Sequence, residues 1–339
     1  MIQNFEHRSA SHCETGTVAN MLNFYGYQLD EPLIFGIGAG LYFICMPFSS
    51  LNNGMPMCNF RTMPGAIFAR ATKNLHIKVG IKRFFNQEKA MKEMDELLAA
   101  GTPVGNVVGL YYLPYLPREA LMHFNAHNIC VIGREGDEYT VSDPVPVTLK
   151  KISYDDLKRV RFSKGMLKPR GKMYWIKEKP TDISYMHSAI IRGIKRTCEN
   201  MLGTPLFPYI GVRGIIMLSK RMRGWVAKYG EKGAMLYLAQ LIRMLEEVGT
   251  GGVGFRFMYG AFLHEAADIV NKPELKDFSV EMNNIGDLWR QFAVESGRKF
   301  KNRNETSYDE LADMLVEISA EEKKFFIALK KYVKTVCKK

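Results

Sequence analysis

Three side chains of the kinds that make a working thiol nucleophile lie far apart in this chain: Cys13, His127 and Asp143. A thiol attacks as its thiolate, so it needs a neighbour that takes its proton near neutral pH, and imidazole does that best. A carboxylate behind the ring would fix its tautomer and orientation. The chemistry expected is acyl transfer through a covalent thioester, with Cys13 as nucleophile, His127 as base and Asp143 as orienter. Each residue also has a plainer role. Cysteine is among the most buried residue types. A histidine beside a strand is often structural, and an aspartate before Pro144 is an ordinary turn element. What favours chemistry is the elements that position all three.

Residues Glu14 to Phe24 read as an amphipathic helix stopped by Gly26, which puts Ser11, His12 and Cys13 at its N-terminus. Backbone N–H groups and the helix dipole there favour thiolate over thiol and can hold an oxyanion. Downstream, Asn128 to Ile132 reads as a strand, Arg134 to Asp137 as a turn containing Gly136, and Tyr139 to Ser142 as the return strand. Positions 127 and 143 are symmetric about residue 135, so His127 and Asp143 are expected as cross-strand neighbours on one face.

The order Cys at a helix start, then His and Asp across a hairpin, is similar to papain-like cysteine enzymes, nearest the branch that includes bacteriocin-processing peptidases. The stretches HCETGTVANMLNFYG, FGIGAGLYF at 35–43 and AHNICVIG followed by VSDP resemble the N-terminal domain of the butirosin-biosynthesis acyltransferase family. The later GTGGVGFRFMYGAFLHEAA resembles the helical domain that follows it. The resemblance implies an α+β fold, a papain-like domain over 1–178 and a mostly helical domain over 182–339. It implies transfer of an acyl group from an acyl-carrier-protein or coenzyme A thioester, through acyl-Cys13, to an amine or hydroxyl of a small acceptor in secondary metabolism. The chain departs from papain-like peptidases in having no Gln several residues before the cysteine. His7 lies in that region, and the nearest upstream Gln is Gln3. His7, His12 or a backbone amide is left to complete the oxyanion hole, with Glu14 beside them. The same residues with water as acceptor would make a peptidase or amidase, and a binding protein that keeps the fold without turnover is the third reading.

The length of 339 residues suggests two domains, and a 47% hydrophobic content suffices for sizeable cores. No signal segment and no apolar run of spanning length is evident, so a cytoplasmic protein without a membrane span is expected. The cysteine's early position leaves no propeptide expected. The six cysteines show no CxxC spacing, so neither a metal site nor a disulfide framework is indicated, and no cofactor is expected. His123 and His127 have helical metal spacing, but the segment turns into a strand.

The net charge of +12 suits an acidic partner, and a carrier protein would use it. The segment LKRVRFSKGMLKPRGKMYW interleaves cations and aromatics, but no nucleic-acid motif accompanies it. Between the hairpin and the nucleophile helix, 35–48 reads as a strand or loop pair under the active site. Residues 62–74 and 88–100 read as helices, 103–111 as a central strand, and 111–122 as a Tyr-, Leu- and Pro-rich wall. A helix at 154–160 and a strand at 172–178 close the domain, with Lys177 to Thr181 as boundary. Six helical stretches follow between 183 and 334, and a homodimer through them is left open. The GTGGVG at 249–254 follows a helix rather than a strand, so it is no dinucleotide site. It reads as a turn whose backbone approaches a ligand or the other domain. Arg256 and Tyr259, just beyond it, are candidate substrate-binding residues, Arg256 for a phosphate or carboxylate.

Overall fold

The computed structural model describes all residues except 1, 52–54, 119–120, 179–184, 204–205, 249–250, 302–305 and 337–339. In chain order the elements are α1 Cys13–Phe24, α2 Glu31–Ile37, β1 Leu41–Leu51, β2 Met55–Arg61, α3 Ala66–Asn74, β3 Val79–Lys82, α4 Gln87–Ala99, β4 Val104–Val108, β5 His127–Glu135, β6 Glu138–Ser142, β7 Lys150–Ser153, α5 Tyr154–Arg161 and β8 Met173–Ile176. The helices α6 Met186–Leu202, α7 Gly211–Met222, α8 Trp225–Glu246, α9 Arg256–Ile269, α10 Glu274–Phe300 and α11 Tyr308–Val336 complete the chain. The architecture is α+β, as expected. No helix among the described residues is long and apolar enough to cross a membrane.

Two compact units divide the chain, one of residues 1–34 and 68–185, the other of 35–67 and 186–339. This differs from a single cut near 178–182. The glycine-spaced 35–48 segment, expected in the catalytic domain, belongs to the helical unit, where it forms the end of α2 and part of β1. Its run of apolar residues suits either unit, so local pattern did not decide. Part of the expected boundary, 179–181, lies outside the described residues.

The first unit is built on a six-stranded antiparallel sheet in the order β3-β8-β4-β5-β6-β7. β4 and β5 are buried nearly throughout, which is why they read as apolar runs rather than alternations. One core joins Met91, Met94 and Leu98 of α4 to Val104, Val108, Ile129, Val131 and Val141 of the sheet. Asn86 caps α4 by accepting from the Lys89 amide, and Gly101 follows it in the left-handed region. α1 lies against β5 and β4.

The second unit surrounds the β1–β2 hairpin with helices. Phe43 and Phe60 meet Trp289 of α10, and Phe35 stacks on Phe255. α8 carries a kink at Gly230, whose φ is 67°.

Candidate active site

α1 begins at Cys13 itself, with His12 as N-cap in extended conformation. The His12 side chain does not cap the helix. Its Nδ1 pairs with the Thr15 hydroxyl at 3.0 Å. The turn before the cysteine is held instead by Glu31 of α2. That carboxylate accepts the Ser11 amide (2.9 Å), the His12 amide (2.7 Å) and the Thr15 hydroxyl (2.9 Å). Burial nevertheless pushes the Glu31 carboxyl up from its ordinary value against those three donors. On the other side, a Cβ at position 16 would collide with Ala10 and Pro144, so glycine there lets α1 close on the chain leaving β6. The Ala10 amide donates to the Pro144 carbonyl at 2.8 Å, pinning the same contact.

His127 opens β5, and Asp143 directly follows β6. The ladder pairs Glu135 with Glu138, Arg134 with Tyr139 and Gly133 with Thr140. It then skips Ile132, pairing Val131 with Val141 and Cys130 with Ser142. Ile132 is thus the extra residue of a β-bulge, and its carbonyl accepts the Ile2 amide at 2.7 Å. The hairpin turns about Gly136 and Asp137, not about residue 135, so direct opposition of His127 and Asp143 is not what forms. They meet diagonally, which long or ring-bearing side chains can span. Nε2 of His127 lies 2.8 Å from Oδ2 of Asp143, and both side chains are buried.

The other ring nitrogen remains for sulfur, and the Cys13 thiol is hydrogen-bonded to the His127 ring. Burial works against the imidazolium, but Asp143 and the Cys13 thiolate outweigh it and raise His127 to about 10. Burial likewise opposes the Asp143 carboxylate, and His127, the Val145 amide (3.0 Å) and the Tyr115 hydroxyl (3.0 Å) hold its pKa below the ordinary value. Burial and the adjacent carboxylate push the Tyr115 phenol well up, so it stays a donor. Cys13, His127 and Asp143 therefore form one connected chain of hydrogen bonds inside the first unit.

The other candidates go elsewhere. Both His7 nitrogens are taken, Nδ1 by the Ser142 hydroxyl at 2.8 Å and Nε2 by the Pro146 carbonyl at 3.1 Å. His7 braces the strand end that carries Asp143 and does not offer an N–H to an oxyanion. Glu14 is buried and accepts the Phe68 amide at 3.0 Å, capping α3. His12 supports the turn before Cys13. Arg256 and Tyr259 belong to the other unit and are wholly buried in it. Arg256 reaches a carboxylate, as expected of its chemistry, but that carboxylate is Glu322 of the same chain. Nε and Nη2 each lie 2.8 Å from Glu322 Oε1, and Nη1 donates to the Gly254 carbonyl at 2.7 Å. The glycine turn approaches protein too: a Cβ on Gly254 would strike the Phe60 ring. Gly249 and Thr250 lie outside the described residues.

Sequence reasoning missed Glu31 and Tyr115. Tyr115 sits in the Tyr- and Pro-rich stretch read as a wall, and nothing local marks it as the donor to Asp143. Glu31 looks like an ordinary acidic first turn.

With this geometry in place, the comparisons are specific. Residues 12–144, which hold all three residues of the hydrogen-bonded chain, match the family model described as Butirosin biosynthesis protein H, N-terminal. Residues 155–329, about half of the chain, match the model described as Domain of unknown function (DUF4872). The chain belongs to the DUF4872 family, and its residues 12–144 are similar to the butirosin-biosynthesis N-terminal domain. The DUF4872 region starts inside the first unit and takes in α5 and β8. No curated protein matches. A crystal structure from Bacillus anthracis described as that of a C39-like peptidase is similar at 16% identity and a TM-score of 0.37, covering 52% of this chain and 97% of that one.

Proposed function

We propose that the chain is a cysteine-dependent acyltransferase acting on a carrier-protein or coenzyme A thioester. The observation that carries this reading is the buried, connected Cys13–His127–Asp143 array, with a carboxylate fixing Nε2 at 2.8 Å and the thiol on the same ring. The match of residues 12–144 to the butirosin-biosynthesis domain supports it. In the first half-reaction the Cys13 thiolate adds to the thioester carbonyl. The carbon–sulfur bond to the donor breaks, acyl-Cys13 forms, and the leaving thiolate takes the proton held by His127. In the second, an amine or hydroxyl acceptor attacks acyl-Cys13. His127 removes the acceptor's proton as the bond to Cys13 breaks, restoring the starting thiolate and imidazolium. The first-turn amides of α1, which have no partner within the helix, would supply the backbone share of oxyanion stabilisation. Asp143 keeps the ring oriented through both proton transfers.

Intact-protein mass spectrometry after incubation with a panel of acyl-carrier-protein and acyl-coenzyme A thioesters tests this directly. A mass gain equal to the acyl group on wild type and none on Cys13→Ala is expected. No adduct from any donor, together with a Cys13 inert to iodoacetamide, would overturn the reading.

A further inference from the structure

Between α5 and β8 the chain runs through Phe162–Lys172, and no acidic residue occurs from Leu157 to Lys177. This loop borders an open pocket of about 410 Å³ lined by Phe162, Ser163, Lys164, Gly165, Lys168 and Arg170. Such a concentration of cations on a surface usually recruits carboxylates from the same chain. Here, among the described residues, none lies within ion-pair distance of Lys164, Lys168 or Arg170. Nearby cations are spoken for: Arg159 lies over the Tyr112 ring at 4.0 Å, and Arg161 points inward to the Ala90 carbonyl.

The loop's backbone is firmly anchored. The Asn125 amide donates to the Lys164 carbonyl (3.0 Å) and to the Met166 carbonyl (2.8 Å). The Phe84 amide donates to the Arg170 carbonyl, and the Gly171 amide to the Arg161 carbonyl. Two non-glycine residues, Leu167 (φ 54°) and Arg170 (φ 51°), are held in the left-handed region, which persists only where surroundings impose it. At the tip, Met166 and Leu167 are 65% and 48% exposed between the flanking cations. An apolar tip ringed by unneutralised positive charge on a fixed backbone fits a partner whose surface is acidic around apolar residues. It fits a free phosphate less well, because a phosphate has no use for the apolar tip.

The loop also adjoins the candidate active site. Asn125, which holds it, stands two residues before His127, within about 7 Å along an extended chain. Lys172 at its other end is close enough to Glu14, the neighbour of Cys13, to feel its charge. We propose that the 162–172 loop is the docking surface for an acidic acyl carrier protein, which presents its thioester arm to Cys13 from there. This rests on the acyltransferase reading for its partner, and it adds where that partner sits.

Two measurements separate the claims. Titration of holo acyl carrier proteins, phosphopantetheinylated but not acylated, needs no chemistry at Cys13. Binding is expected to weaken with added salt and to fall roughly tenfold or more in Lys164→Glu/Lys168→Glu/Arg170→Glu, as interface charges govern encounter. Reversal of Lys323, Lys324 and Lys331 to Glu, the same change in net charge on α11, controls for global electrostatics. Absence of binding, equal binding by the loop variant, or an equal loss in the α11 variant overturns the docking surface. A parallel loss of free coenzyme A binding also overturns it, because that would mark a phosphate pocket. Where Cys13 is acylated, the carrier-protein rate should fall at least tenfold more than the rate from the matching acyl-pantetheine. Equal losses with both donors would make the loop structural. Acylation failing while holo-carrier binding persists would sink the acyltransferase reading and leave the docking surface standing.

Discussion

In the first unit Asp143 holds His127 at 2.8 Å; in the second Glu322 holds Arg256 at the same distance, and all four side chains are buried. The partners of each carboxylate differ. Asp143 is shared with a phenol and a backbone amide, and its cation is an imidazole that also touches a thiol. Glu322 Oε1 is shared with the Trp289 indole at 2.7 Å, and its cation lies over the Phe60 and Trp289 rings with its last fork atom on a backbone carbonyl. A guanidinium does not give up its proton in a protein, so the second cluster has one charge state. The imidazole can give and take a proton, so the first has at least two. Burial of an ion pair does not by itself mark a site. What sets the first cluster apart is a titratable member that also touches a thiol.

The contrast can be broken most sharply at the two cations. His127→Ala should slow acylation of Cys13 by about 10²–10⁴-fold, the usual worth of a positioned acid–base. Single-turnover mass spectrometry reads it, and a loss under tenfold would remove His127 from the chemistry. In the second unit, Glu322→Ala leaves a buried guanidinium uncompensated and should cost about 3–5 kcal/mol in denaturant unfolding. Arg256→Met/Glu322→Leu should recover much of that. A double variant as unstable as the single one would mean that packing, not charge, is what Glu322 supplies.

Proton linkage sharpens the comparison further. The folded-state pKa of His127 is raised, so the stability it contributes is fully present below about pH 6.5 and is lost as pH rises through about 10. The depressed Asp143 carboxyl works oppositely: its contribution is present above the ordinary aspartate value and is lost as pH falls through the lower folded-state value. The destabilisation caused by His127→Ala should therefore be largest at neutral and mildly acidic pH and shrink toward pH 10. The Arg256–Glu322 pair should show no such alkaline decline. By NMR, Asp143→Asn should lower the His127 titration more than Cys13→Ala does, because the carboxylate is the stronger of the two attractions. The reverse order would recast the thiolate as the main partner. The smallest effect expected is for Tyr115→Phe, which removes one donor to a charged acceptor and should cost about 1.5 kcal/mol. Its Asp143 pKa should rise, and an unchanged value would leave Tyr115 as packing alone.

How far the sequence foretold this depends on the range of the interactions. Helix α1, its start at Cys13 and the His127–Asp143 hairpin were legible because glycine stops, apolar spacing and turn residues are local signals. The turn was misplaced, centred on residue 135 instead of between Gly136 and Asp137, because a bulge leaves no local mark in an apolar strand. Glu31 and Tyr115 were missed because each acts on a residue far along the chain. Arg256 was misread for the same reason: the carboxylate that it meets is 66 positions away. The segment 35–48 carries an apolar pattern that fits either unit, and only long-range packing assigns it.

The bulge at Ile132 has a counting consequence. Side chains on a strand alternate faces, so what matters between His127 and Asp143 is odd or even, not near or far. Continued without the skip, with Ile132 paired in turn, the register set near the turn would put Asp143 opposite Cys130 and on the far side of the sheet from His127. With it, Asp143 falls beside Ile129 and shares the imidazole's face. The hairpin therefore behaves as a parity lock. Deleting Ile132 should straighten the ladder yet leave Val131 opposite Val141 and Cys130 opposite Ser142, so Asp143 should stay beside Ile129 and keep its bond to the ring.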